Sequence, residues 1–184
     1  MVGPYLAFLL LVGVERLAEL RLSRRNARLA FSRGAVEVGA GQFRLMAILH
    51  AGFLPACALE VVALHRPFPG AIGVLALALA LGAQGLRWWA IASLGSRWNV
   101  RVIAVPGEAP VRRGPYRWVR HPNYIAVAVE MACVPLAHGA WLSALTFSAL
   151  NAFVLRERIR VEERALGDAY QRAFAGVPRF LPHG

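Results

Sequence analysis

Apolar stretches long enough to cross a lipid bilayer, set apart by clusters of arginine, constrain this 184-residue chain more than any other feature. A helix needs about 20 predominantly apolar residues to span the hydrocarbon core. Stretches 2–22, 43–64 and 70–94 meet that length. The last apolar region, 123–155, is too long for one ordinary span and is interrupted at Pro135, His138 and Gly139. It reads as a tight hairpin of two spans, 122–137 and 139–155. The expectation is an all-α integral membrane protein of about five transmembrane helices, with residues 1–184 forming one domain.

Composition and charge support that class. The chain is 58% hydrophobic and carries a formal charge of +11. A soluble core this small could not bury so much apolar surface. Every basic residue is Arg. Basic charge between apolar runs points to cytoplasmic connections, and no nucleic-acid partner is expected. The first connection, the third connection and the C-terminal tail hold nearly all the arginines, whereas the second holds only Arg66. This places the N-terminus outside and the C-terminus in the cytoplasm, in a multi-pass protein of a bacterial inner membrane. No basic n-region precedes the first apolar run, so that run reads as a span and not as a leader. Cys57 and Cys133 lie in apolar runs and read as small buried hydrophobes; without a Cys/His cluster, no metal site is expected.

The connections differ in character. Residues 21–33 read as an Arg-rich loop with at most a short helix on the membrane surface. Residues 100–105 look strand-like and lead into a Pro-Gly turn. Glu15 and Glu19 share a face of the first span and are expected to pair with arginines, while Gln84 and Arg87 should face the protein interior.

The polar residues gather in 114–124, where Tyr116, Arg117, Arg120, His121, Asn123 and Tyr124 precede an apolar run. Pro122 suits the first turn of a helix, which puts Arg120 and His121 at the helix mouth. Unpaired amides and the positive dipole end there favour an anionic group. Glu130 follows on roughly the Asn123 face, about two turns deeper, either as a paired structural acid or as a site residue. In the tail, Arg158 and Glu162 are one turn apart and Glu163 is beside them; a solvated ion-pair helix is the plain alternative to a site.

The run Arg-His-Pro-Asn-Tyr at 120–124, the charged helix 156–166 and the terminal pattern Tyr170, Phe174, Val177-Pro178-Arg179-Phe180-Leu181-Pro182 together resemble the isoprenylcysteine carboxyl methyltransferase family. The likeness covers 94 to the C-terminus. The N-terminal half, with Glu15, Arg16, Glu19, His50 and Glu60, is similar to the small bacterial branch that includes O-methyltransferases of alkylpyrones and phenolic lipids. One departure is Leu166-Gly167-Asp168-Ala169 before Tyr170, where the family has Phe-Gly.

The resemblance implies S-adenosylmethionine bound within residues 95–184 in a cytoplasmic pocket capped by the C-terminal helix. It also implies a lipophilic acceptor arriving from the bilayer. Arg120, His121 and the turn at Pro122 would take the cofactor carboxylate, and Glu162, Tyr124 and Asn123 its ammonium and ribose, with Tyr116 alongside. Arg158 would steer an anionic acceptor oxygen. A neutral phenol would need a base, for which Glu163 stands nearest in sequence, ahead of His50 and Glu130. A long-chain pyrone or phenolic lipid is preferred over an isoprenylcysteine carboxylate. The rival is an NADPH-dependent sterol-type membrane reductase, which shares the Arg-His-Pro-Asn-Tyr run; a non-catalytic scaffold comes third.

Overall fold

The computed structural model describes residues 2–180, so Leu181 and Pro182 of the terminal pattern lie outside the described residues. Five helices carry most of the chain: α1 (Val2–Phe31), α2 (Ala40–Ala63), α3 (Ala71–Leu94), α4 (Pro122–Leu136) and α5 (Trp141–Ala173). Two of them, α2 and α3, are long and apolar enough by length and composition to cross a membrane. The outward side chains agree with a lipid surround: Leu10 is 72% exposed and Ile48 71%, surface that water would penalise and hydrocarbon would not.

α1 corrects the expected loop at 21–33, because the helix continues to Phe31. Arg, Leu and Ala, all good helix formers, dominate that stretch, and the first Gly after Arg21 is Gly34. Its buried face is also tied down. Asn26 Nδ2 donates to the Gly95 and Trp98 carbonyls at 3.1 and 2.8 Å, and the Ser23 hydroxyl donates to Asn99 Oδ1 at 2.7 Å.

The strand-like stretch becomes β2 (Val102–Ala104), and its partner β1 (Val36–Val38) comes from the same misread connection. The two pair antiparallel with Glu37 opposite Ile103, and an Arg101–Glu37 ion pair of 2.7 Å crosses the ribbon. The class is therefore helical with one short ribbon.

α3 packs on α4 through a stripe of small residues, Gly73, Ala76, Ala80 and Ala83. A Cβ on Gly73 would come within 2.9 Å of the Ala137 carbonyl oxygen, so the close approach there requires glycine. The α4–α5 turn contains Gly139 at φ +73, the left-handed region glycine accepts freely. Glu60 then closes the start of α5: its carboxylate accepts from the Leu142 and Ser143 amides at 3.1 and 2.6 Å and from Arg66 Nε at 3.1 Å. The same end holds Tyr5, whose hydroxyl donates to the Val134 carbonyl at 3.3 Å. The opposite end gathers the C-terminus of α1, the N-terminus of α2, β2 and the start of α4. Gln42 Nε2 donates there to the Val154 carbonyl at 3.2 Å.

Candidate functional site

A cavity of about 1050 Å³ runs between α1, α2, α4 and α5, roofed by the β2 segment and by Tyr170 and Phe174. One end is lined by Tyr116, Arg120, His121, Asn123, Tyr124, Arg158, Glu162, Tyr170 and Phe174, the other by apolar side chains such as Leu6, Leu9, Leu54 and Ala58. Leu10, Val14 and Leu17 also line it while being 72%, 63% and 58% exposed, so the cavity faces outward along α1.

At the polar end, Pro122 is the first residue of α4 and His121 its N-cap, as the sequence implies. The amides just before the helix are not free for an anion. The Arg120 and His121 amides donate to the Pro178 and Arg179 carbonyls at 2.9 and 3.2 Å, strapping the tail across the helix mouth. Arg120 strengthens the strap, its Nε donating to the Val177 carbonyl at 2.6 Å. Asn123 retains acceptor capacity: its Oδ1 is buried without a hydrogen-bond partner among the described residues. A buried acceptor left unpaired is costly and marks a place where a donor belongs.

The next layer comes from α5. Arg158, 3% exposed, donates from Nε to the Tyr124 hydroxyl at 3.1 Å and from a terminal nitrogen to the Val100 carbonyl at 2.6 Å. The Tyr124 hydroxyl in turn donates to Glu162. Arg158, Tyr124 and Glu162 are thus one chain along the cavity wall. Beyond Glu163 the helix breaks at Gly167, whose φ of +64 turns it. The turn brings Tyr170 and Phe174, 4.6 Å apart between ring centres, against Tyr116. The Leu166–Ala169 departure therefore works as a bend. Burial raises the Tyr116 and Tyr170 hydroxyls above their ordinary range, so both stay protonated at neutral pH as donors.

Glu163 faces away from the cavity lining. It accepts from His121 Nε2 at 3.1 Å and from Arg179 at 3.0 and 2.6 Å. Burial alone would raise its carboxyl, but the hydrogen bonds from Arg179 and His121 outweigh that and hold it below the usual range. It is the lock under the strap. Arg179 was legible only as part of the terminal pattern, and the roles of Gln42 and the Val100 carbonyl beside Arg158 had no sequence signal.

Glu130 is likewise absent from the cavity wall. It binds Arg87 and Arg16, each at 3.3 Å, while Arg87 grips Glu19 at 2.6 and 2.8 Å and Arg16 reaches Glu19 at 2.9 Å. The expected pairing of Glu19 and the inward aim of Arg87 are both observed. Arg16, Glu19, Arg87 and His50 do border the cavity, toward its apolar end. Among the described residues no group of His, Cys, Asp and Glu is placed to hold a metal.

Comparison with known proteins bears on this geometry. The model of the isoprenylcysteine carboxyl methyltransferase family matches residues 75–168, from within α3 to the Gly167 bend. An uncharacterized protein YpbQ of Bacillus subtilis is 36% identical over 154 residues, covering 83% of this chain and 90% of its own. An uncharacterized protein of Haemophilus influenzae is 25% identical over 159 residues, covering 86% of this chain and 92% of its own.

Proposed function

The chain belongs to the isoprenylcysteine carboxyl methyltransferase family, a family of membrane methyltransferases, and from that membership we propose that it transfers a methyl group from S-adenosylmethionine to an oxygen of a lipophilic acceptor. The observation that carries this reading is a single cavity with a charged end closed by Tyr170 and Phe174 and an apolar end that opens along an exposed helix face. A polar, charged donor and a greasy acceptor could meet there without either crossing an unsuitable environment.

The residues fit the methyl donor. Glu162 and the unpaired Asn123 Oδ1 are acceptors for an ammonium and for ribose hydroxyls. Tyr116 and Tyr170 stay protonated donors in the same cavity, and the Arg120 guanidinium borders it toward a carboxylate. Bound there, the donor supplies an electrophilic methyl on a sulfonium. The chain's own residues do the remaining work, which is alignment and exclusion of water. Arg158 touches the cavity and is held by three partners, Tyr124, Val100 and Gln42, so its fork is fixed in place to steer the acceptor oxygen. Glu163 is a positioning residue: it holds His121 and Arg179, and through them the strap. Glu130 takes no part in the chemistry and supports the α1–α3–α4 packing.

Calorimetry on purified protein tests the reading. S-adenosylhomocysteine should bind and NADPH should not; the reverse would favour the reductase.

We further propose five spans in a bacterial inner membrane, with the end of α1 and the C-terminus both cytoplasmic. The joint location of Asn26, Trp98, His121 and Glu163 at one end of the bundle supports it. Reporter fusions at Ser32 and at the C-terminus should report the same side, and opposite sides would break the topology.

A further inference from the structure

The cavity has a second polar station that donor binding leaves without a role. His50 from α2, Arg16 and Glu19 from α1, and Arg87 from α3 line it together, between the charged end and the apolar end. His50 Nδ1 lies 2.9 Å from the Met46 carbonyl oxygen of its own helix. A carbonyl oxygen only accepts, so Nδ1 carries a proton, and in the neutral ring Nε2 then keeps its lone pair. Nε2 is the distal nitrogen of a cavity-lining side chain, and it has no hydrogen-bond partner among the described residues. A neutral histidine with an open acceptor nitrogen beside a lipid-level cavity is equipped to take a proton.

The surrounding charges indicate which hydroxyl it serves. The charged groups facing His50 are Arg87, Arg16 and Glu19, and Glu130 closes the cluster behind them. Two guanidinium groups already face three carboxylates, Glu15, Glu19 and Glu130. A free carboxylate acceptor would add a further negative charge to a site at bilayer depth whose carboxylates already outnumber its guanidinium groups, at high cost. A neutral ring hydroxyl adds none. The apolar lining beyond, including Leu6, Leu54 and Ala58, suits a hydrocarbon chain on the same molecule.

We propose that His50 is the general base of the methyl transfer, taking the proton of a neutral acceptor hydroxyl. The inference rests on the methyl-donor reading above. The acceptor O–H proton passes to His50 Nε2, the oxygen's electron pair forms the new O–CH3 bond, and the donor's S–CH3 bond breaks to leave a neutral thioether. The imidazolium then returns its proton to water. Arg16, on the same wall, favours the oxygen as negative charge develops.

The test compares wild type with His50→Gln, which keeps hydrogen-bonding capacity but cannot act as the base. Two phenols with the same alkyl chain serve as acceptors: one of ordinary acidity, titrating at about 10, and one nitro-substituted so that it is ionised at neutral pH. S-adenosylhomocysteine affinity is measured in parallel. The variant should lose about 100-fold in turnover with the ordinary phenol, remain within about threefold of wild type with the ionised one, and bind S-adenosylhomocysteine normally. Its rate with the ordinary phenol should also lose the fall on the acid side that protonation of an imidazole base imposes. Equal losses with both phenols would make His50 a packing residue and overturn the proposal, as would no loss with either. Failure of wild type to bind S-adenosylhomocysteine would instead sink the methyl-donor reading, and the base with it.

Discussion

Two charge clusters in this molecule are built from the same residue types and are put to different uses. The Arg16–Glu19–Arg87–Glu130 cluster, with Glu15 at its edge, joins α1, α3 and α4, and its Arg87 and Glu19 are 5% and 2% exposed. The cluster around Arg158, Glu162, Glu163 and Arg179 joins α5 to α4 and to the tail, and its Arg179 side chain is 56% exposed. In the first, every carboxylate is spent on an arginine. In the second, among the described residues, Glu162 meets only a tyrosine hydroxyl and an Asn oxygen nearby is left bare, so the cluster still has capacity for a ligand. Unsaturated polar groups on a cavity wall, more than charge itself, separate a site from a girder.

The comparison breaks most sharply at Glu19. Glu19→Gln removes the carboxylate that Arg87 grips and leaves a buried guanidinium short of charge. We expect a loss of about 3–5 kcal/mol in stability, read as thermal unfolding in detergent. Unchanged stability would show that the first cluster is not structural.

Arg158→Lys probes the other side. The charge survives but the fork that spans Tyr124, Val100 and Gln42 does not. Turnover should fall by about two orders of magnitude, as misplacement near reacting atoms can cause, while S-adenosylhomocysteine affinity is largely kept. Near-normal turnover would reduce this stretch of α5 to an ion-pair helix.

A smaller effect should follow acidification. The Glu163 carboxyl is held below its ordinary range in the folded protein, so its contribution to the strap is complete above the unfolded value of about 4.3 and lost as pH falls through the lower folded value. Protease cleavage within 174–180 should therefore rise only at such acid pH in wild type. In Glu163→Gln it should already be elevated at neutral pH. A strap equally protected in both would remove Glu163 from its proposed role.

Much of the architecture was legible because lipid imposes long apolar helices: α2, α3, α4 and the apolar half of α5 fall within a few residues of where hydropathy puts them. The end of α1 was misread because Ser23 and Asn26 are residues that favour turns, and here they are held on the helix by partners about 70 residues away in the 95–100 segment. β1 needed β2 in the same way. The polar stretch 116–124 and Arg158–Glu163 were visible as residues out of place in apolar surroundings. Which of them face the cavity was not, because helical spacing alone leaves Glu162 and Glu163 as equals. Only the tail returning over α4 turns Glu163 toward His121 and Arg179 and leaves Glu162 on the wall.

Calorimetric titration of S-adenosylhomocysteine into Glu162→Gln and Glu130→Gln, each corrected for its folded fraction, tests the distinction most directly. Glu162→Gln should weaken binding at least tenfold, in line with about 1.5–3 kcal/mol for a hydrogen bond to a charged group, and Glu130→Gln should bind as wild type does. Weakened binding in Glu130→Gln with wild-type affinity in Glu162→Gln would contradict the account and move the donor site to the other cluster.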